Sequence, residues 1–245
     1  MHERPNESAM TGDFEFDALQ KANNYRAALI REFSPFLKGR VMEIGAGIGQ
    51  FTGALAALPA VKEVVAIEPE ARFCQAFRRL HPSRKIIEGT MDNLADNAEW
   101  DAAVCINVLE HIRDDDAELR KCHQKLAPRA GHLCLFVPAR QEIYAPLDQD
   151  FGHHRRYARP QLRQKLSQAG FQIVRLDYFN CIGYFAWWFN FCLLKKRRFD
   201  ISSVLVFDRV IFPLAHSLER HIIRPPFGQS LLAVACAASQ NSSMI

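Results

Sequence analysis

Three glycines alternate along Gly45-Ala46-Gly47-Ile48-Gly49, directly after the apolar run Val41-Met-Glu-Ile44. Glycine takes backbone angles closed to other residues and, having no side chain, lets a ligand approach the main chain. In open α/β sheets, ligands bind at such turns, beyond the carboxyl end of a strand. Glu43 lies within the run, two residues before Gly45. A buried carboxylate there is costly unless something bonds to it. It is a poor neighbour for a pyrophosphate and suits a ligand that is cationic at this end. A second carboxylate, Glu68, closes the run Val64-Val-Ala-Ile and precedes Pro69. Standing about twenty residues after the glycine loop, at a strand end, it can accept from both hydroxyls of a ribose. The bland alternatives are a tight turn that binds nothing and a glutamate that caps a helix.

A further cluster of proton-moving and anion-binding groups runs through Asp148-Gln-Asp-Phe-Gly-His153-His154-Arg155-Arg156-Tyr157. Histidine titrates near neutrality without help, and His153 is the candidate catalytic base. Arginine pairs with carboxylate or phosphate through two parallel hydrogen bonds. His154, Arg155, Arg156 and Tyr157 are therefore candidate substrate-binding groups. The alternative is a solvated basic loop ahead of a helix. The spacing of His111, His153 and His154 matches no standard metal site, and no metal is expected.

The elements that must position these groups follow from periodicity. Short apolar runs predict strands at 41–44, 63–67, 85–88, 102–106, 132–137, 171–178 and 231–238. Amphipathic spacing predicts helices at about 14–38, 49–58, 70–80, 114–126 and 159–169. Strands separated by 10–15-residue helical patterns imply right-handed βαβ units and a doubly wound, parallel sheet. About fifty residues lie between the last two strands and do not read as one crossover helix. The expected organisation is a flexible segment over 1–13, a sheet domain over 14–178 and 231–245, and an insertion over 179–230.

Taken together, the E-x-G-x-G-x-G loop and the acidic end of the second strand resemble the class I S-adenosylmethionine-dependent methyltransferases. Glu88-Gly-Thr-Met-Asp92 and Trp100-Asp-Ala-Ala-Val-Cys-Ile-Asn107 extend the resemblance over roughly residues 20–178 and 231–238. It implies a Rossmann-like seven-stranded α/β sheet and S-adenosylmethionine as cofactor, with S-adenosylhomocysteine as product. It further implies that Glu43, Gly45, Ala46 and Gly47 surround the methionyl part and that Glu68 and Pro69 hold the ribose. Met91 would pack on the adenine and Asn107 would line the site. Many family members carry an Asp after the glycine of the adenine loop. Here Thr90 stands in that place and Asp92 follows two later, so either is a candidate for the adenine edge. Tyr25 is where relatives often have an aromatic residue closing over the cofactor; a packing role for that ring is the alternative. The string from Asp150 to Tyr157 resembles a subset of the family found with lipid and glycan assembly genes. The implied reaction is methyl transfer to a small apolar or lipid-linked acceptor. A nicotinamide-dependent oxidoreductase is the first rival, but its loop is spaced G-x-G-x-x-G and Gln50 stands where the third glycine would fall. A non-catalytic membrane-peripheral binding protein is the second.

Composition narrows the classes further. The 245 residues are 49% hydrophobic and 24% charged, with a formal charge of +4. That excludes collagen-like, coiled-coil and wholly disordered chains, and the charge is too small to announce a nucleic-acid partner. The seven cysteines show no C-x-x-C pair, which argues for a reduced protein without a disulfide framework. Met1 to Asp17 lacks the features of a signal peptide, and a cytoplasmic location is expected. Charge is uneven: residues 151–230 hold 13 Lys and Arg against 4 Asp and Glu, and the rest of the chain 18 against 23. Phe179 to Leu194 holds 16 residues without a charge, followed at once by Lys195-Lys-Arg-Arg198. Sixteen is short for a membrane span. Trp187, Trp188 and the basic run suit a helical pair lying in a membrane interface, peripheral at the inner face. A buried lid or a homodimer contact is the alternative.

Overall fold

A computed structural model of the chain describes residues 21–95, 98–221 and 225–237. The flexible start expected over 1–13 and the first residues of the helix expected from 14 lie outside the described residues. The chain divides into two compact units. One, the sheet unit, comprises Ile30–Val137, Arg159–Asp177 and the part from Leu232; the other, the helical unit, comprises the part up to Leu29, Pro138–Ala158 and Tyr178–Leu231.

Seven strands form one sheet: β1 Gly39–Ile44, β2 Val61–Glu68, β3 Lys85–Glu88, β4 Ala102–Ile106, β5 His132–Pro138, β6 Gln172–Phe179 and β7 Ser230–Cys236. Their order is β3-β2-β1-β4-β5-β7-β6. The pairs β1–β2, β1–β4, β2–β3 and β4–β5 are parallel. β7 enters between β5 and β6, so the last two strands depart from the simple βαβ progression. Val41, Met42, Ala102, Ala103, Leu133 and Cys134 are almost fully buried. Continuous apolar runs of this kind are what a strand covered on both faces requires.

Helices cover the sheet where the amphipathic spacing predicts them. In chain order, α1 is Asn23–Phe33, α2 Thr52–Ala56, α3 Ala71–Leu80 and α4 Asp115–Leu126. α5, Pro146–Asp150, belongs to the helical unit and lies outside the predicted helices, and α6 is Arg159–Gln168. α1 ends in a 3₁₀ turn at Ser34–Phe36, and α2 is shorter than its predicted range because residues 47–51 belong to the glycine turn. Asp114 caps α4 by accepting from the Ala117 N–H. Lys165 on α6 reaches both Asp115 and Asp116 in the first turn of α4, at 2.9 Å each.

The helical unit continues with α7 Cys181–Trp187, which passes into a π-helical stretch over Trp188–Leu193. α8 Ile201–Val206 and α9 Phe212–His221 flank a second π-helical stretch, Phe207–Ile211. The expected insertion, 179–230, coincides to within a residue with the segment Tyr178–Leu231. Residues 179–230 do not form an element by themselves but share a unit with 138–158 and the start of α1. The reason is packing. Ile143, Ala145 and Leu147 form one apolar cluster with Trp187 and Phe191, and the Trp187 indole donates to the Ile143 carbonyl at 3.0 Å.

Candidate active site

In the sheet unit, register brings the predicted loop residues to one rim. Ile44 stands opposite Ile67 of β2 and Cys105 of β4. Gly45, Glu68 and Asn107 therefore leave the sheet at nearly the same level. Gly45 and Ala46 both donate to the Ile67 carbonyl, at 2.9 and 3.0 Å. Gly45 and Gly47 have φ of +68° and +55°, a region that glycine enters without penalty. A Cβ on Gly45 would lie 2.3 Å from the Val108 side chain. The loop thus needs glycine for its turn and for close approach.

Two carboxylates converge on this loop with different surroundings. Glu68 is buried; its Oε2 accepts the Gly47 N–H and its Oε1 the Glu70 N–H, both at 2.9 Å. Burial raises its pKa, and the two backbone hydrogen bonds oppose the rise. Glu43 is buried inside β1, and its Oε2 accepts from the Thr52 hydroxyl at 2.5 Å. Burial pushes the Glu43 carboxyl up to about 8; the Thr52 bond pulls it down and the charge of Glu68 pushes it further up. Thr52 is a partner that sequence reading missed. A hydroxyl nine residues after a carboxylate, at the start of the helix that the loop leads into, is the signal that would have found it.

The residues expected near an adenine are placed as follows. Thr90 caps the 3₁₀ turn Met91–Asn93, its hydroxyl accepting from the Asp92 N–H and its own N–H donating to Asn93. Met91 is fully buried, its sulfur 3.6 Å from that of Cys122. Asp92 is exposed and pairs with Lys121 at 2.6 Å. Asn107 has φ +52° and donates its N–H to the Phe136 carbonyl at 2.9 Å; asparagine is among the few residues that tolerate this left-handed conformation. Pro69 is exposed, and α3 begins two residues later with Glu70 as its cap.

The other candidate groups belong to the helical unit. Asp148 is fully buried. Its Oδ1 lies 2.8 Å from His153 Nδ1, and Arg156 Nε donates to both of its oxygens at 2.9 and 3.1 Å. Burial alone would raise the Asp148 carboxyl, but the His153 hydrogen bond and the Arg156 charge outweigh it and hold the carboxyl below its ordinary value. The Arg156 guanidinium stands 4.3 Å over the Trp187 ring and donates to the Ala139 carbonyl. Arg156 and Tyr157, expected to hold an acceptor, are instead buried parts of the framework. Tyr157 donates its N–H to Pro138 and its carbonyl accepts from Arg140. Arg155 is half-buried and His154 exposed. Tyr25 packs edge-on against Phe179, 5.4 Å between centroids, and against Phe212 at 5.0 Å. Burial raises its pKa, and hydrogen bonds to Ser230 and Asn180 oppose that rise. Within this unit its ring makes packing contacts with both phenylalanines.

All seven cysteines are free, and burial raises the pKa of Cys105, Cys122 and Cys134, which keeps those thiols protonated and inert.

The profile of a family described as a methyltransferase domain matches residues 19–176. The chain belongs to this methyltransferase family. A curated relative, the ubiquinone biosynthesis O-methyltransferase of Idiomarina loihiensis, is 29% identical over 121 residues, covering 47% of this chain and 50% of the relative. The methyltransferase chain thus spans about half the length of the curated relative it matches. Among solved structures, the methyltransferase from a Haloferax volcanii complex with the Trm112 methyltransferase activator superposes with a TM-score of 0.65 at 15% identity, over 97% of this chain and 100% of that one. An Archaeoglobus fulgidus SAM-dependent methyltransferase gives 0.57 at 17% identity, over 88% and 94%. These likenesses establish the class I fold.

The cofactor of the family is S-adenosylmethionine, and the rim of this methyltransferase fits it. Glu68 offers a carboxylate suited to a diol. Glu43, neutral in good part at pH 7, can ionise to meet a cation. A pyrophosphate would face two carboxylates at the same turn.

Proposed function

We propose that the chain transfers a methyl group from S-adenosylmethionine to a small apolar or lipid-linked acceptor. The observation that carries this reading is the joining of Glu68 to the glycine loop through Gly47, with Glu43 buried beneath the same turn. One carboxylate suits the ribose hydroxyls and the other an ammonium or sulfonium. S-adenosylmethionine supplies a methyl carbon made electrophilic by its sulfonium.

The chain's own residues bind, orient and take up a proton. Gly45, Ala46 and Gly47 give main-chain access, Glu68 orients the nucleoside, Met91 packs on the adenine, and Asn107 lines the rim. Holding an acceptor atom in line with the methyl carbon can lower the barrier by roughly 7–11 kcal/mol. A hydroxyl acceptor also needs somewhere for its proton to go. His153 is assigned that role: Asp148 at Nδ1 favours the tautomer in which Nε2 is the basic nitrogen. A relative that is an O-methyltransferase of ubiquinone biosynthesis supports an oxygen on an apolar molecule as the acceptor.

The test is mass spectrometry of cell extract, split into lipid and aqueous fractions and incubated with the protein and methyl-labelled cofactor. The proposal expects label in a lipid-soluble product. Label confined to water-soluble products overturns the acceptor class, and no label in either fraction overturns the transfer.

A further inference from the structure

The helical unit carries an unusual pair of helical stretches. In residues 201–219 the buried positions are Asp208 and Phe212. The burial of Asp208 is purposeful. Its carboxylate accepts the N–H groups of Asn24 at 3.1 Å and Tyr25 at 2.9 Å, at the open start of α1. Eleven residues later, Glu219 accepts the N–H groups of Asn180 at 3.1 Å and Cys181 at 2.7 Å, at the start of α7. Eleven residues, the first few in the π-helical stretch, come to a little under three turns, so both acids lie close to the same side. They fasten that side to the unit.

The opposite side is apolar and open. Val206, Val210, Leu214 and Leu218 follow one another at intervals of four, and Leu214 is 72% exposed. The first stretch repeats the arrangement. Gly183, Trp187 and Phe191 face the unit, whereas Ile182, Phe185, Phe189 and Leu193 are exposed, Phe185 by 53%. A helix that is apolar all round does not belong against water. Between the two stretches stand Lys195, Lys196, Arg197 and Arg198, all exposed, and Arg209 is exposed on the second. Trp188, a residue suited to the headgroup level, is 45% exposed.

The stretch Ile201–Glu219 has the length and composition of a span, yet its middle is tied to α1 through Asp208. That bond holds it on the folded unit. A bilayer surface accepts apolar side chains to shallow depth and carries negative charge for the cations beside them.

We propose that the exposed faces of residues 181–193 and 201–219, with the basic run 195–198, form a docking surface for an anionic lipid bilayer, which the helices enter in plane. This inference is independent of methyl transfer.

The full chain would be sedimented with vesicles of phosphatidylcholine alone and with about 30% phosphatidylserine. The expected result is binding to the anionic vesicles, weakened as salt rises from about 0.1 to about 0.5 M, with a blue shift of tryptophan emission. Phe185→Glu with Leu214→Glu should reduce binding by about tenfold or more. Replacing Lys195 to Arg198 by Gln should remove the preference for anionic vesicles. All these positions are exposed, and unchanged far-UV circular dichroism would verify folding. Failure of the folded wild-type chain to bind either vesicle overturns the proposal. So does a concentration-dependent dimer that Leu214→Glu dissociates while vesicle binding is absent, which would assign the face to a second copy. Calorimetry with S-adenosylhomocysteine on the same samples keeps this outcome distinct from a failed cofactor site.

Discussion

The Gly47 N–H donates to Glu68 Oε2 at 2.9 Å, so the turn after β1 and the end of β2 are already joined by the carboxylate that would hold the ribose. Under the proposed function, the loop is held in advance by the carboxylate assigned to the ribose. Glu68→Ala removes the loop contact and, under the proposed function, the acceptor for two ribose hydroxyls. Hydrogen bonds to a charged group contribute about 1.5–3 kcal/mol each. Calorimetric titration should show affinity for S-adenosylhomocysteine falling by about tenfold to a hundredfold or more, and Glu68→Gln should recover part of it.

If Glu43 meets the cationic end of the cofactor as proposed, binding depends on pH. With its carboxyl near 8 in the free protein, a cationic ligand must draw off a proton below that pH. Affinity should rise as pH increases toward about 8 and then level, with proton release visible as buffer-dependent heats. Glu43→Gln should flatten the profile. Stability moves the other way. The folded value is raised above the unfolded one, so the stabilisation is complete below about 4.5 and is lost as pH rises through about 8. Urea denaturation should show the wild type weakening relative to Glu43→Gln over that window and holding level above it.

Gly45→Ala tests the turn. Its φ of +68° and the 2.3 Å approach of a Cβ to Val108 add a left-handed penalty of about 1–2 kcal/mol to an overpacking cost of about 1–3 kcal/mol. Adding Val108→Ala should recover the second part and leave the first, which a double-mutant cycle in urea would read as coupling.

The sheet and its rim were legible because each rests on local pattern. Runs such as Val41–Ile44 and Ala102–Ile106 are too short for helices and are bounded by turn residues, so they read as buried strands, and the glycine loop states its own conformation. What was not legible depends on contacts between distant residues. Asp208 meets Asn24 across 184 positions, and Trp187 meets Ile143 across 44. No periodicity announces either, and the sequence therefore showed an apolar insertion without the partners that bind it to residues 138–158. Arg156 was misplaced for the same reason. An Arg in a basic string looks available until Asp148 and Trp187 are seen around it.

His153 and Asp148 make separable predictions. His153→Gln should lower kcat by about a hundredfold or more if it takes the acceptor's proton, while affinity for S-adenosylhomocysteine is unchanged. Asp148→Ala leaves Arg156 without its buried partner, a loss of about 3–5 kcal/mol, and should appear first as a lower Tm. An equal fall of activity and Tm in both variants would assign the pair to structure alone.

The central claim is that a sulfonium nucleoside, held by its sugar at Glu68, lies over the turn from Gly45 to Gly47. A crystal structure of the chain with S-adenosylhomocysteine tests it most directly. The account predicts both ribose hydroxyls on the Glu68 carboxylate and the methionyl part along the glycine turn. A nucleoside bound elsewhere, with Glu68 still engaged to Gly47 and Glu70 alone, would contradict it.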